Sequence, residues 1–312
     1  MTPVEVSAAG GAIALLLLLV VPSLNHVKQQ ARIRVCLSNL RTIGQAGSAY
    51  AGEFADLPWV LPAGYQAGGK TYNWIYFTEF IWGGGLTEKT VSDWEYSGMS
   101  GYVGVNAVNS DFNTVPPKYR PLNRYISADV HWDNTKARRV TRPKELPAVF
   151  KCPDDASALL PTVGGSNPTP RPGDLFRSWD WYGTSYATNW YWIYYYSSNG
   201  GISTLLDEGR GLLKRTEFRA REASRLVVHM ENQLNFSLHA ARPPGYTGGP
   251  WAGDGRNLVG WHGALDYHTA AFLDGSARYQ EFDTRFLLGK NWTIWPAKPW
   301  TGRWAPYNDI DP

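Results

Sequence analysis

Residues 1–30 read MTPVEVSAAGGAIALLLLLVVPSLNHVKQQ, and from Val6 to Asn25 they carry no charge. At about 1.5 Å per residue a helix over this stretch reaches most of the way through a bilayer core of roughly 30 Å. A cleaved secretory signal places its basic residues before the apolar run. Here the leading flank is MTPVE, and Lys28, Arg32 and Arg34 follow. A plain membrane anchor accommodates that order, and the positive-inside rule would then hold the rest of the chain in the cytoplasm. Glu5 fits neither reading. An acidic side chain within hydrocarbon costs about 2.5–3.5 kcal/mol on insertion scales, so such groups are normally paired and functional.

Helical patterning continues beyond the apolar run. In VKQQARIRVCLSNLRTIGQAGSAYAGEF, residues 27–54, the positions Ile33, Cys36, Leu37, Leu40, Ile43, Gly44, Gly47 and Tyr50 recur at three- and four-residue steps, the period of one buried helical face. The spacing predicts a single helix from the first residues to about Gly52, roughly 75–80 Å long. Residues 1–26 form a protruding half that is apolar all round, and residues 27–52 form an amphipathic half that packs on a domain. Pro22 lies between them and lacks an N–H, so a kink or a locally unwound turn is expected there.

The remainder, residues 53–312, reads as a β-rich head, giving an α+β chain. Gly 32 and Pro 21 among 312 residues mark long loops, and 15 Trp, 18 Tyr and 11 Phe supply large rings to fill core and interfaces. AVFKCP, YATNWYWIYYY, RLVVHME, YHTAAFL and SARYQEF have the β-branched and aromatic content of strands. The last two flank Asp274 and Gly275, a tight-turn pair that predicts an antiparallel hairpin. Residues 53–146 read as turns, short strands and loops inserted on the outer face. The tail, residues 289–312, is extended and Trp-rich, suited to covering a sheet edge or a neighbouring subunit. A net charge of +3 without a dense basic cluster argues against nucleic acid as a partner.

With Glu5, the apolar stretch, Pro22 and an amphipathic continuation into a head, the sequence resembles the type IV pilin and type II secretion pseudopilin superfamily. CLSNLRTIGQAGSAYA, FKCPDD, TSYATNW, REASRLVVHMEN and YHTAAFLDGSARY are similar to segments of the pilin-like proteins of planctomycetes and verrucomicrobia. Those relatives carry a Cys-x-x-Asn-Leu helix, a Cys-Pro-x-Asp segment, a Ser-Tyr-x-x-Asn strand and a C-terminal His, spacer, Asp-Gly hairpin. His262 stands twelve residues before Asp274, a wider spacing than in that motif, and Ser276 replaces the frequent His after Gly275. The resemblance implies a prepilin peptidase that removes a short basic leader, methylation of the new N-terminus at Met1, and pairing of Glu5 with the terminal amine of a neighbour. It also implies an inner-membrane anchored stage, assembly machinery in that membrane, and self-association into an extracellular filament on a bacterial surface.

Two cysteines are too few for a disulfide scaffold, and no C-x-x-C metal pattern is present. Cys36 on the buried helical face and Cys152 after a strand would meet beneath the sheet, where a disulfide is favoured over two buried thiols in an exported head. His262, Asp266 and His268 form H-x3-D-x-H, a weak metal pattern without a fourth ligand. Some family members bind calcium in a C-terminal loop, and Asp254, Asp266 and Asp283 offer oxygens here, but no Asp-x-Asp-x-Asp-Gly loop occurs, so no cofactor is assigned. No nucleophile elbow, H-E-x-x-H or phosphate-cradling loop is present, which points away from an enzyme. The expected function is a major pilin-like structural subunit. The alternatives are a low-abundance pseudopilin of a type II secretion-like machine, or a membrane-tethered carbohydrate-binding module.

Overall fold

In a computed structural model the described residues are 2–54, 65–67, 70–72, 80, 82–85, 117, 120–127, 147–155, 177–179, 183–189, 213–214, 220–239, 259–284 and 288–294. Helix α1 runs from Pro3 to Phe54, 52 residues without interruption. It passes through Pro22, so the unwound turn expected there is absent. A missing N–H removes one hydrogen bond, and the flanking turns retain theirs. The head contains strands β1 (Tyr65–Ala67), β2 (Lys70–Tyr72), β3 (Tyr186–Thr188), β4 (Val227–Glu231), β5 (Tyr267–Phe272), β6 (Ala277–Glu281), β7 (Leu288–Gly289) and β8 (Trp292–Thr293). The described residues also form short helices α2 (Asn123–Ile126), α3 (Ala220–Ala223) and α4 (Asn232–His239).

The main sheet has the order β3-β4-β5-β6, with every neighbour antiparallel. The chain is therefore an α+β fold in which the second half of α1 lies against β4, β5 and β6. On α1 the buried positions are Ile33, Cys36, Asn39, Leu40, Ile43, Gly44 and Ala46, whereas Val35 on the opposite side is 47% exposed. Cys36 and Cys152 are joined in a disulfide, with Cα atoms 5.4 Å apart. Before Gln29 the described residues of the helix are exposed, with Leu15, Leu16 and Leu18 at 65%, 61% and 71%. This apolar window is long enough to cross a membrane, and none of it is covered by the head.

The β5–β6 turn is closed by the Gly275 N–H donating to the Phe272 carbonyl at 2.9 Å, with Gly275 at φ +80°. That geometry is a four-residue turn whose last residue is left-handed, a position glycine occupies without steric cost. Asp274 steadies it by accepting from the Ser276 N–H at 2.9 Å and the Ser276 hydroxyl at 2.7 Å. The Ala148–Phe150 segment, expected as strand, is a 3₁₀ turn. Pro147 at φ −54° starts the turn, and Phe150 and Cys152 are both fully buried.

Among the described parts of residues 53–146, Glu53 and Arg124 are exposed, but another set of side chains reaches the core. Phe80, Trp82, Arg120, Leu122 and Asn123 are buried. The Trp82 ring lies 4.7 Å from His229 and 5.9 Å from Phe150, and its indole N–H donates to the Tyr186 carbonyl at 3.3 Å. Gly84 and Gly183 have φ +78° and +72° where the two segments cross; a Cβ on Gly84 would strike the Gly183 backbone, and one on Gly183 the Gly85 backbone. Large rings with one polar edge are drawn inside wherever that edge finds a carbonyl, which overrides the loop-like composition of the segment. Of the tail, residues 289–294 are described. The N–H of Thr293 donates to the Arg225 carbonyl at 2.8 Å, and Thr293 bridges Leu226 where β3 has ended. The remaining tail tryptophans, Trp295, Trp300 and Trp304, lie outside the described residues.

Leu40→Ala is expected to lower the unfolding free energy of the head by about 2–5 kcal/mol, the usual cost of emptying a buried leucine site. Val35→Ala should change it by less than about 1 kcal/mol. Denaturant unfolding of the full chain in detergent micelles measures both, and equal losses would contradict the burial pattern of α1.

Candidate functional site

Two regions gather the unusual chemistry: the start of α1 and the seam between α1 and the sheet. At the start, Thr2 and Glu5 form a capping box. The Thr2 N–H donates to Glu5 Oε2 at 2.8 Å, and the Glu5 N–H donates to Thr2 Oγ1 at 3.4 Å. Reciprocal bonds of this type satisfy two of the donors that the first helical turn leaves open, and the carboxylate also lies favourably at the positive end of the helix dipole. Within its own chain, Glu5 thus already has a local acceptor role, which the sequence pattern T-x-x-E signals. Met1 lies outside the described residues.

At the seam, α1 is fastened by four side chains along one stripe. Gln29 donates to the His262 carbonyl. Arg32 pairs with Asp154 Oδ1 at 2.7 Å. Cys36 is bonded to Cys152. The Asn39 amide reaches the Lys151 carbonyl at 3.0 Å, the Ala148 carbonyl at 3.4 Å and the Tyr186 hydroxyl at 3.1 Å. Burial raises the Tyr186 hydroxyl pKa well above its ordinary value, and the Asn39 bond only partly opposes that shift. Tyr186 therefore remains a neutral donor and acceptor.

His262 and His268 serve different partners. His262 Nδ1 is 2.8 Å from Asp154 Oδ2, and its Nε2 is 3.9 Å from Cys152 Sγ. His268 Nδ1 is 2.7 Å from Glu231 Oε1. Glu231 is fully buried and also accepts from the Thr269 N–H at 3.0 Å, the Thr269 hydroxyl at 2.8 Å and the Trp261 N–H at 3.4 Å. Burial alone would raise its pKa, but hydrogen bonding and charge from His268, the charge of His262 and the Thr269 N–H hold it below the ordinary carboxylate value. Asp266 adopts φ +61° at the entrance to β5. Among the described residues, the metal-capable side chains that converge are Cys36, Cys152 and His262, without Asp266 or His268. Asp254 lies outside the described residues.

Composition and spacing did not single out the polar interior. Asp155 accepts from the Ser178 and Trp179 N–H groups at 3.0 and 2.8 Å and from the Ser185 hydroxyl at 2.6 Å. Arg120 is buried, with its guanidinium on the Phe80 and Gly83 carbonyls at 3.3 and 2.9 Å, and burial lowers its pKa to about 9. His229 lies under Trp82, and burial pushes its pKa down to about 3. The seam side chains fasten one element to another, and the cysteine beside His262 is tied up in a disulfide.

No family model, curated protein or solved structure matches the chain. Its architecture, a long apolar N-terminal helix joined to an antiparallel sheet, is loosely pilin-like.

The interior predicts an acid-sensitive head. His229 stays neutral when folded but takes a proton near pH 6.5 when unfolded, so stability is complete above that pH and declines below it. The decline is on the order of 1 kcal/mol per pH unit. Glu231, whose folded pKa is depressed, adds a further loss as pH falls through the acidic range of carboxylates. Thermal unfolding should therefore occur at a lower temperature at pH 5 than at pH 7, and His229→Phe should flatten that difference. A wild-type midpoint that is unchanged between the two pH values would contradict the assignment.

Proposed function

We propose that the chain is the structural subunit of a helical, type IV pilus-like filament on a bacterial surface. In this reading the uncovered halves of α1 bundle into the filament core and the heads form its sheath. What supports it is one observation: an apolar half-helix whose described residues are exposed, led by the single carboxylate Glu5. Apolar area of this size is covered in water only by lipid or by other chains. Before assembly the inner membrane covers it; afterwards, neighbouring copies of α1 do. Head-to-tail contacts that do not close generate an open helix.

Glu5 then sets the stagger. A carboxylate and a neighbour's terminal amine attract strongly in a low-dielectric bundle, while a subunit at the wrong height leaves both charges buried and unpaired. This role is structural and not catalytic. A prepilin peptidase and inner-membrane assembly machinery are the implied partners. A short pseudopilus of a secretion-like machine would use the same contacts.

The capping box favours a second reading. Because Glu5 caps its own helix through Thr2, it needs no neighbour, and α1 would then be a membrane tether for a head that binds something else, such as carbohydrate. Glu5→Gln separates the two. Glutamine retains the capping geometry but loses the charge. The filament reading expects surface filaments to be lost or strongly reduced, with the head still folded, when shed fibres are imaged and quantified. Normal filament yield from Glu5→Gln would contradict the charge-pairing role.

A further inference from the structure

The disulfide seam holds an arrangement that the filament reading does not use. Cys36 Sγ, Cys152 Sγ and His262 Nε2 lie within 4.8 Å of one another, and all three residues are buried. They come from α1, from the segment before β3 and from the loop before β5. The Asp154 carboxylate only accepts, so the His262 Nδ1 that lies 2.8 Å from it carries a proton. The other ring nitrogen, Nε2, faces Cys152 Sγ at 3.9 Å, on the side from which a metal held by both sulfurs would be reached. Imidazole with one nitrogen held by a carboxylate and the other open is the usual state of a metal-ligating histidine.

We propose that Cys36, Cys152 and His262 form a site for a thiophilic divalent cation such as zinc when the disulfide is reduced. Thiol–disulfide exchange with a dithiol reductant transfers two electrons and two protons to the S–S bond, yielding two thiols here and leaving the reductant as its own disulfide. A divalent cation then displaces both thiol protons to solvent, forming two sulfur–metal bonds and one bond to His262 Nε2. Two thiolates and an imidazole favour zinc over magnesium or calcium, whose preferred ligands are oxygens. Three protein ligands leave a fourth position to water or a small ligand. Disulfide and metal are mutually exclusive, and either one clamps α1 to the head at the same point. Arg32, on Asp154 Oδ1 at 2.7 Å, orients the carboxylate that orients the imidazole. The site does not depend on the filament reading and holds for a tethered head equally.

The test uses the full chain in detergent micelles, reduced with a phosphine that is then removed without air, and titrated with cobalt(II) as a spectroscopic substitute for zinc. About one equivalent should bind, with a thiolate-to-cobalt charge-transfer band that zinc abolishes; the oxidised protein should show none. His262→Ala and Asp154→Asn should each weaken zinc by at least about tenfold, the second without removing a ligand. Zinc should also raise the unfolding temperature of the reduced chain and leave that of the oxidised chain unchanged. A reduced protein without the band would overturn the proposal. So would a band and affinity unchanged in His262→Ala, which would mean adventitious capture by two thiols only.

Discussion

The Cys36–Cys152 bond ties a rigid rod to the segment that follows the Pro147 turn, and the direction in which the rod leaves the described head follows from that attachment. An α-helix transmits direction along its length, so fixing residues 29–43 fixes where residues 3–28 emerge. Arg32 on Asp154 and Asn39 on the Lys151 carbonyl lie one helical turn on either side of Cys36. A single crosslink would allow α1 to rotate about it; contacts on both sides remove that freedom. The disulfide also closes a sequence separation of 116 residues, which in the chain-entropy model restricts the unfolded ensemble by about 5 kcal/mol.

Behind the joint lies an interior that is polar for its depth. β4 and most of β5 are buried on both faces, yet they carry His229, Glu231, His268 and Thr269. Glu231 is tolerated because it accepts four hydrogen bonds, one of them from an imidazole. Buried polar groups cost far more when mispaired than they contribute when paired. Such a network therefore favours one strand register over its neighbours, because a shift of one residue would leave Glu231 without Thr269 and His268. A head with one well-defined register would suit the proposed subunit, whose copies would have to present identical surfaces.

The parts of this arrangement that were legible in the sequence are those governed by local period. The steps from Ile33 through Cys36 and Leu40 to Ile43 marked the buried face of α1, and β4 to β6 stood out through their β-branched and aromatic content. What was not legible depends on partners far apart in the chain. Asp154 meets His262 across 108 residues, Glu231 meets His268 across 37, and Trp82 meets Tyr186 across 104. No periodicity records such pairs. Trp82 and Arg120 were hidden by loop-like surroundings, and Ala148–Phe150 read as strand because its composition carries no trace of the turn that Pro147 imposes. Asn39 was visible as part of Cys-x-x-Asn-Leu, but its role at the seam needed the carbonyls of residues 148 and 151 to be in place.

The uncovered half of α1 must be covered by something, and that occupant decides between a polymer and a tether. Cryo-electron microscopy of material sheared from cells expressing the wild-type chain with its membrane assembly machinery addresses this directly. The filament reading predicts helical fibres whose density resolves a central bundle of α1 segments, with the heads outside and Glu5 of each subunit beside the N-terminus of another. Cells on which the chain is abundant and folded, but which yield no fibres containing it, would contradict that reading.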